Sequence, residues 1–273
     1  MKRLTWFNVT SLTLGFAFLY LPMLILIAYS FNGGRLVTVW AGFSTKWYGT
    51  LFQNEAFMDA AWVTIKVAVM SSTLATVLGT MAAYVLVRGG RFMGRTLFSG
   101  MIYAPLVMPE VITGLSLLLL FIGIGLDRGV LTIVLAHTTF SMCFVSVVVS
   151  SRLVSFDKSL EEAALDLGAS PFDAFRLVTL PIIAPAVISG WLLAFTLSLD
   201  DLVIASFASG PSATTLPIKI FSAVRLGVTP EINALSTIMI AIVTLGVVSA
   251  SLITKRNAAR ALQDAQNAVR DAR

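Results

Sequence analysis

Long apolar runs alternate with short polar segments along the chain, and this pattern predicts membrane-spanning helices. Six runs are each long enough to cross a bilayer, which takes about 20 helical residues; they lie at about 11–31, 63–87, 98–124, 130–150, 184–208 and 234–254. Helices are expected because the backbone hydrogen bonds of a segment in lipid must be satisfied within that segment. The first run is longer than the roughly 7–15-residue apolar core of a signal peptide, so we expect an uncleaved span.

The composition agrees with a membrane protein and excludes several kinds of site. Hydrophobic residues make up 57% of the chain and charged residues only 12%, whereas a soluble domain carries about 25% charge. The single cysteine, Cys143, excludes an internal disulfide framework and a CxxC metal site. The single histidine, His137, argues against a histidine metal centre or a Ser-His-Asp triad. Both residues fall in the fourth run, where we interpret them as packing residues.

The distribution of basic residues predicts the orientation in the membrane. With the N-terminus inside, thirteen lysines and arginines fall on the cytoplasmic side and five on the outer side. An excess of Lys and Arg marks cytoplasmic loops, so both termini are expected in the cytoplasm. The same residues explain the net charge of +5 without a nucleic-acid partner. The outer segment 32–62, with Trp40, Trp47, Tyr48 and Trp62, predicts an interfacial aromatic belt or a short surface helix.

The inner loop at 155–185 carries the most specific pattern. Ser159 followed by Glu162 predicts a capping box that begins a helix, and Gly168 predicts its end. Ser170 and Pro171 predict the start of a second short helix, which Pro181 would end before the fifth span. Physics alone leaves two interpretations: a solvated linker that folds on itself, or a small-residue helix face that enters a groove on a partner.

This loop resembles the EAA loop of the inner-membrane permeases of ATP-binding-cassette importers. The matching residues are Glu162-Ala163-Ala164, Gly168 and Val178-x-Leu180-Pro181, with Val178 where the family has isoleucine. The resemblance covers roughly 63–254 and implies the type I ABC importer permease fold, all-α with six transmembrane helices. It divides the chain into a first helix with an outer segment (1–62), a permease core (63–254) and a cytoplasmic tail (255–273).

The resemblance also implies how the chain works with partners. In the family the EAA helix is a coupling helix that docks on a cytoplasmic ATPase. The coupling residues would be Ser159, Glu162, Ala163, Ala164, Gly168, Leu180 and Pro181. The chain has no GxxxxGK[ST] phosphate loop, so it is not the ATPase and is not expected to be an enzyme or to bind a cofactor.

The implied assembly is a complex in a bacterial inner membrane. It contains a second homologous permease, two ATPase subunits that hold ATP and Mg, and a periplasmic substrate-binding protein. The remaining partner is membrane lipid.

Acidic residues inside the apolar runs predict the character of the cargo. Glu110 lies in the third run, after Pro105 and Pro109, and Asp200 and Asp201 lie in the fifth. Such residues are costly in lipid and need a reason, and no basic residue lies at comparable depth, so they are expected to line a path for cations. The alternatives are a hydrogen bond to a neighbouring helix for Glu110 and helix caps for the two aspartates.

Aromatic residues in the spans are candidates for the walls of the same path. Tyr103, Trp191 and Phe195 offer cation–π faces for an ammonium group, with ordinary packing as the alternative.

The segment 193–235 and the opening FLYLPMLILIAYSFN resemble polyamine importer permeases, most closely the second permease subunit of putrescine importers. The resemblance implies putrescine as cargo, with spermidine or another cationic or neutral small solute as the alternative. A rival of another class is a stand-alone secondary transporter, which would leave the EAA loop unexplained. An intramembrane protease fits poorly. Such enzymes need two aspartates brought together from different helices, whereas Asp200 and Asp201 are adjacent in the chain.

Overall fold

In a computed structural model, residues 5–36, 39–227, 229–245 and 248 are described. They fold into helices: α1 (Trp6–Ser30), α2 (Lys46–Gln53), α3 (Glu55–Arg88), α4 (Arg95–Val107), α5 (Glu110–Gly123), α6 (Val130–Ser155), α7 (Ser159–Asp166), α8 (Pro171–Ala174), a π-helical turn (Phe175–Thr179), α9 (Leu180–Asp200), α10 (Val203–Ala208), α11 (Leu216–Leu226) and α12 (Pro230–Leu245). Within those ranges the only β pairing is an isolated bridge between Asn32 and Phe43. The protein is all-α, as the hydrophobic pattern predicts. The chain divides into two compact units. The smaller unit comprises Met1–Asn54 together with Ala223–Arg273, and the larger unit is Glu55–Ser222.

The core of the larger unit is formed by α3, α6 and α9, which pack along one another. Small residues let these helices approach closely, as is common in membrane helix pairs. A Cβ placed on Gly79 of α3 would lie 2.7 Å from the Met142 carbonyl oxygen and 2.8 Å from Val145 Cβ of α6. Gly190 of α9 approaches the same Val145, 3.1 Å from its Cγ1 on the same measure. Val145 is fully buried where the three helices meet.

The third predicted span, 98–124, is not one straight helix. It is broken into α4 and α5, whose axes differ by 118°. The break falls at Met108, which is extended, and Pro109, which precedes α5. Pro109 accounts for it, because proline lacks an N–H and disfavours helical backbone in the residue before it. Helix α5 packs on α10 through Gly114, where a Cβ would come within 2.5 Å of the Phe207 ring.

The fifth predicted span, 184–208, also differs in the structure. Helix runs continuously from Pro171 to Asp200, so Pro181 lies in the first turn of α9 and does not end a preceding helix. Proline contributes no N–H to a helix, and Pro181 lies two residues after the π-helical turn Phe175–Thr179, where the regular α-helical hydrogen-bond pattern is already interrupted. Asp201 is extended and separates α10 as a short helix of its own.

Among the described residues, four helices are long and apolar enough to span a membrane, or five if the bent pair α4–α5 is one span. The sixth predicted span, 234–254, coincides with α12 up to Leu245. The rest of that span and the predicted tail at 255–273 lie outside the described residues, apart from residue 248.

The smaller unit contains the apolar helix α1, most of whose side chains are exposed within this chain. The segment after α1 is ordered by Asn32, which is almost fully buried. Its amide nitrogen donates to the Leu36 and Val39 carbonyls, and its amide oxygen accepts from the Gly34 and Ala41 N–H groups. The short surface helix predicted in this segment is α2, which carries Trp47 and Tyr48.

Candidate functional site

Helix α7 begins in a way that the sequence did not indicate. The predicted capping box of Ser159 and Glu162 is wrong, because Ser159 is the first helical residue and its N–H donates to Asp157 Oδ1 at 3.0 Å. Glu162 instead pairs with Lys158 at 2.9 Å. The Ser159 N–H lowers the pKa of Asp157, and the hydrogen bond to Glu162 raises the pKa of Lys158.

The end of α7 matches the prediction. Gly168 has a φ of +90°, a left-handed backbone that favours glycine. Its N–H donates to the Leu165 carbonyl at 2.9 Å, and the Ala169 N–H donates to the Ala164 carbonyl at 3.1 Å. These two bonds form a Schellman motif, which satisfies carbonyls at the end of a helix. The second predicted start is also confirmed, since the Ser170 hydroxyl accepts from the Asp173 N–H and Pro171 begins α8.

The predicted coupling residues lie mainly on an exposed surface. Glu162, Ala163 and Gly168 are exposed, and Ala164 is half-buried. Apolar side chains at both ends of α7 are exposed as well: Leu160 in its first turn is 50% exposed, and Leu167, the residue after the helix, is 89% exposed. Leu180 packs against the core and Pro181 is exposed at the start of α9. An apolar face left uncovered on a short helix is typical of a surface that meets another protein.

A residue that sequence reasoning missed anchors this helix. Glu161 lies beside the EAA motif and is buried; its Oε2 is 3.1 Å from Arg88 Nε, and its Oε1 accepts from the Thr179 hydroxyl at 2.8 Å. Arg88 also donates to the Phe156 carbonyl at 3.2 Å. We call Arg88, Glu161, Thr179 and the Phe156 carbonyl the charged cluster. Its ion pair joins residues 73 positions apart, so no local spacing in the sequence indicates it.

The predicted acidic residues of the transport path occupy different environments. Glu110 is exposed at the first position of α5, directly after the bend, and Asp200 is exposed at the end of α9. Neither forms an ion pair with a residue in the described part of the chain. Asp201 is largely buried and accepts hydrogen bonds from the Ile204 and Ala205 N–H groups. The alternative of a helix cap therefore holds for Asp201, which caps α10.

Asp201 also belongs to a buried chain of hydrogen bonds. Its Oδ2 lies 3.1 Å from His137 Nε2, and His137 Nδ1 lies 2.7 Å from Ser198 Oγ. Ser71 donates to Ser198 at 3.1 Å. A proton on Nε2 lets Ser198 donate to Nδ1 and satisfies every member of the chain. We call Ser71, His137, Ser198 and Asp201 the histidine cluster; within it His137 is a satisfied residue, as interpreted from the sequence.

The predicted aromatic residues are only partly brought together. Trp191 stacks on Phe195 with ring centroids 5.2 Å apart, and its Nε1 donates to Thr73 at 3.1 Å. Tyr103 packs beside Ile102 against α3. Among the described residues, no hydrogen bond, ion pair or ring contact joins Glu110, Tyr103 or Asp200 to another member of the predicted path.

Comparison with known proteins identifies the family. Residues 75–263 match the model of the binding-protein-dependent transport system inner membrane component. This chain belongs to that family. It is a membrane permease subunit of an ABC transport system and not an enzyme, and the matched segment contains α7 together with His137 and Glu161.

Curated relatives extend the match to nearly the whole chain. The chain is 56% identical to the putrescine transport system permease protein PotI of Escherichia coli strain K12, over 98% of this chain and 97% of that protein. It is 46% identical to the spermidine/putrescine transport system permease protein PotC of Haemophilus influenzae, over 89% of this chain and 94% of that protein.

A solved structure supports the fold. A chain of a bacterial ABC transporter that imports the acidic polysaccharide alginate aligns with a TM-score of 0.69 at 18% identity, over 90% of this chain and 93% of that chain. The permease therefore has the type I ABC permease fold.

Proposed function

We propose that this permease moves putrescine into the cytoplasm as part of an ATP-driven importer. The observation that carries the proposal is the 56% identity to a putrescine permease over almost the full length of both chains. The lower identity of 46% to a spermidine/putrescine permease favours putrescine over spermidine as the main cargo.

The charges of the membrane segments fit a dication. Glu110 and Asp200 are exposed carboxylates without an ion-pair partner in the described part of the chain. Unpaired carboxylates along a path attract cations and repel anions. Trp191 and Phe195 add a stacked aromatic surface, and aromatic faces bind ammonium groups. Asp201 contributes to the same acidic region while its side chain is held by His137.

The exposed apolar face of α7 fits the role of a coupling helix. Glu162, Ala163, Ala164 and Gly168 contact a cleft in a cytoplasmic ATPase, and Ser159, Leu180 and Pro181 support the two ends of the loop. Closure of the ATPase subunits on ATP moves α7 and opens the spans outward, and the binding protein then releases putrescine into the cavity. Release of the hydrolysis products restores the inward-facing state.

The complete importer contains partners that this chain requires. A second homologous permease lines the other half of the path. Two ATPase subunits bind ATP and Mg, and a periplasmic protein delivers putrescine. The permease has both termini in the cytoplasm, which places α7 on the side of the ATPase and agrees with the thirteen basic residues assigned to that side.

Uptake of labelled putrescine into proteoliposomes tests this function. The vesicles contain this permease, its partner permease and the ATPase, with binding protein added, and unlabelled spermidine and an unrelated amino acid as competitors. We expect uptake that requires ATP and falls at least about tenfold in Gly168→Asp, because the variant places a charge in the docking surface. Gly94→Asp is the matched control, since Gly94 is also left-handed with open space around it but lies outside the coupling loop.

The outcomes separate the alternatives. An active ATPase without putrescine uptake overturns the cargo, and uptake that continues without the ATPase overturns the coupled mechanism in favour of a secondary transporter. Glu110→Gln, Asp200→Asn and Asp201→Asn are each expected to lower uptake. Unchanged uptake in all three overturns the acidic path.

A further inference from the structure

Two adjacent glutamates of α7 lie in opposite environments. Glu162 is exposed and pairs with Lys158 in the same helix. Glu161 is buried, with only 9% of its side chain exposed, and its ion-pair partner Arg88 is 10% exposed. Two ionised groups removed from water hold each other strongly, because separating them would leave each charge buried and unpaired. Glu161 is thus the anchor of α7, whereas Glu162 belongs to its outer surface.

The charged cluster joins α7 to the ends of three other elements: α3, α6 and the π-helical turn that leads into α9. Arg88 is the last residue of α3, and its Nη2 donates to the carbonyl of Phe156, the residue after α6. The Arg88 guanidinium carbon also lies 5.5 Å from the centre of the Phe156 ring. Thr179, which is fully buried, ends the π-helical turn that leads into α9. Glu161 therefore contacts two of these elements directly and a third through Arg88.

The π-helical turn is tied to α3 by a second contact. Phe175, its first residue, meets Tyr84 of α3 edge to face, with ring centroids 5.0 Å apart. A π-helical turn within a helix often marks a functional position, because its wider spacing is a local departure from regular helix geometry. A displacement of α7 must therefore either carry α3 and the start of α9 with it or break the charged cluster.

We propose that Arg88 and Glu161 are positioning residues that make α7 move as one body with the ends of α3, α6 and α9. They transmit the movement of the ATPase to the spans without touching nucleotide or cargo. This inference rests on the coupling role given to α7 above. It predicts that loss of the buried charge leaves a folded permease whose α7 is no longer fixed to α3.

Distances between two spin labels test the positioning directly. Cys143→Ala removes the native thiol, and labels are attached at Met93→Cys and Asp166→Cys in the assembled importer. Met93 is fully exposed in a loop that Arg95 ties to the end of α3 through the Leu86 carbonyl, and Asp166 is the last residue of α7. We expect a narrow distance distribution in the unaltered cluster and a broadened one in Glu161→Gln and Arg88→Gln. Distributions of equal width would overturn the inference, whatever the cargo proves to be.

The coupling ratio tests the consequence for transport. Putrescine imported per ATP hydrolysed is expected to fall about five- to tenfold in Glu161→Gln, the range of typical coupling effects. Asp173→Asn is the matched control, because it removes one exposed acid from the same loop and leaves the cluster intact. The exchanged pair Arg88→Glu with Glu161→Arg is expected to recover part of the ratio.

The two tests distinguish the possible failures. A variant that merely folds poorly lowers the amount of assembled importer, and the ratio per ATP stays unchanged, which contradicts the inference. Failure of wild-type uptake with a broadened α7 distribution in Glu161→Gln rejects putrescine and keeps the positioning role. A normal wild-type importer with an unchanged Glu161→Gln ratio rejects the positioning role and keeps the cargo.

Discussion

Two polar clusters join the same three core helices, and they are built from different chemistry. The charged cluster links the end of α3, the residue after α6 and the entry to α9 through a buried ion pair. The histidine cluster links the same helices further along through Ser71, His137, Ser198 and Asp201. The first leads outward to the exposed helix α7, and the second ends on the buried side of α10.

Paired and unpaired polar groups have different roles in these membrane helices. Polar side chains inside a membrane protein are expensive unless they are paired. The members of both clusters are paired and define how the helices pack. Glu110 and Asp200 are exposed and form no ion pair within the described part of the chain, which is why we propose them as carboxylates of the cargo path. Depth in the membrane alone would not have separated these two groups.

The largest expected effect comes from a change that disturbs both clusters together. Gly79 lies on α3 between Ser71 and Arg88, where α3 packs closely against Met142 and Val145 of α6. Gly79→Leu forces the helices apart, because even a Cβ would lie 2.7 Å from the Met142 carbonyl oxygen. We expect a loss of about 3 kcal/mol in stability, the upper range for overpacking, measured as the unfolding temperature of the purified complex.

The control for this change is Gly100→Leu in α4. A Cβ placed on Gly100 would meet no neighbouring helix of the described chain within 4 Å, and Gly100 is exposed. Its replacement should leave the unfolding temperature close to that of the parent. Equal losses in the two variants would mean that the contact between α3 and α6 does not hold the clusters in place.

The next effect contrasts the two neighbouring aspartates. Asp201→Ala removes the partner of His137 and the acceptor for the Ile204 and Ala205 N–H groups. Hydrogen bonds to a charged group contribute about 1.5–3 kcal/mol, so we expect a loss of about 2 kcal/mol. Asp200→Ala removes an exposed carboxylate and should alter stability by less than about 0.5 kcal/mol. Unfolding temperatures of both variants, measured beside putrescine uptake, check the contrast; equal stability would contradict the role given to Asp201.

The sequence predicts the helices better than their directions and contacts. Hydropathy identifies the apolar segment at 98–124, and Pro105 and Pro109 predict a loosened helix there. Neither signal predicts the 118° change of direction between α4 and α5 or the packing of α5 against α10. The EAA motif identifies α7, because its residues are adjacent in the chain. Arg88 and Glu161 are separated by 73 positions, and a single sequence contains no signal for so distant a pair.

The start of α7 differs from the prediction for a local reason. Ser159 and Glu162 have the spacing of a capping box. In the structure, however, the Ser159 N–H donates to Asp157, and the Glu162 carboxylate forms an ion pair with Lys158. Several side chains near a helix start compete for the same N–H groups, and spacing alone does not decide between them. The left-handed Gly168 was predictable because few residues other than glycine adopt that backbone readily.

A smaller effect tests why position 168 requires glycine: for its left-handed backbone, or because a side chain there would interfere with contact with the ATPase. The surroundings of Gly168 are open, and its φ is +90°. Gly168→Ala should therefore destabilise the end of α7 by about 1 kcal/mol, whereas Gly168→Asn should cost less because asparagine is tolerated at this helix-end position. The measurement is the stimulation of the ATPase by loaded binding protein. We expect it to be highest with the native Gly168, lower in Gly168→Asn and lowest in Gly168→Ala. Equal stimulation in the two variants would assign the requirement for glycine to contact with the ATPase instead.

The smallest expected effect is that of pH on the exposed start of α7. The hydrogen bond from Ser159 lowers the pKa of Asp157. Its contribution to the stability of the helix start is therefore complete at pH values above the ordinary pKa of an aspartate, and it is lost only as the pH falls through the lowered pKa. The hydrogen bond to Glu162 raises the pKa of Lys158. The contribution of this pair to stability is therefore complete at pH values below the ordinary pKa of a lysine, and it is lost only as the pH rises through the raised pKa. Between about pH 6 and 8 neither group changes its charge. The distance distribution between labels at Met93→Cys and Asp166→Cys should therefore be the same at both pH values, and a change over that interval would mean that a group outside this pair controls the position of α7.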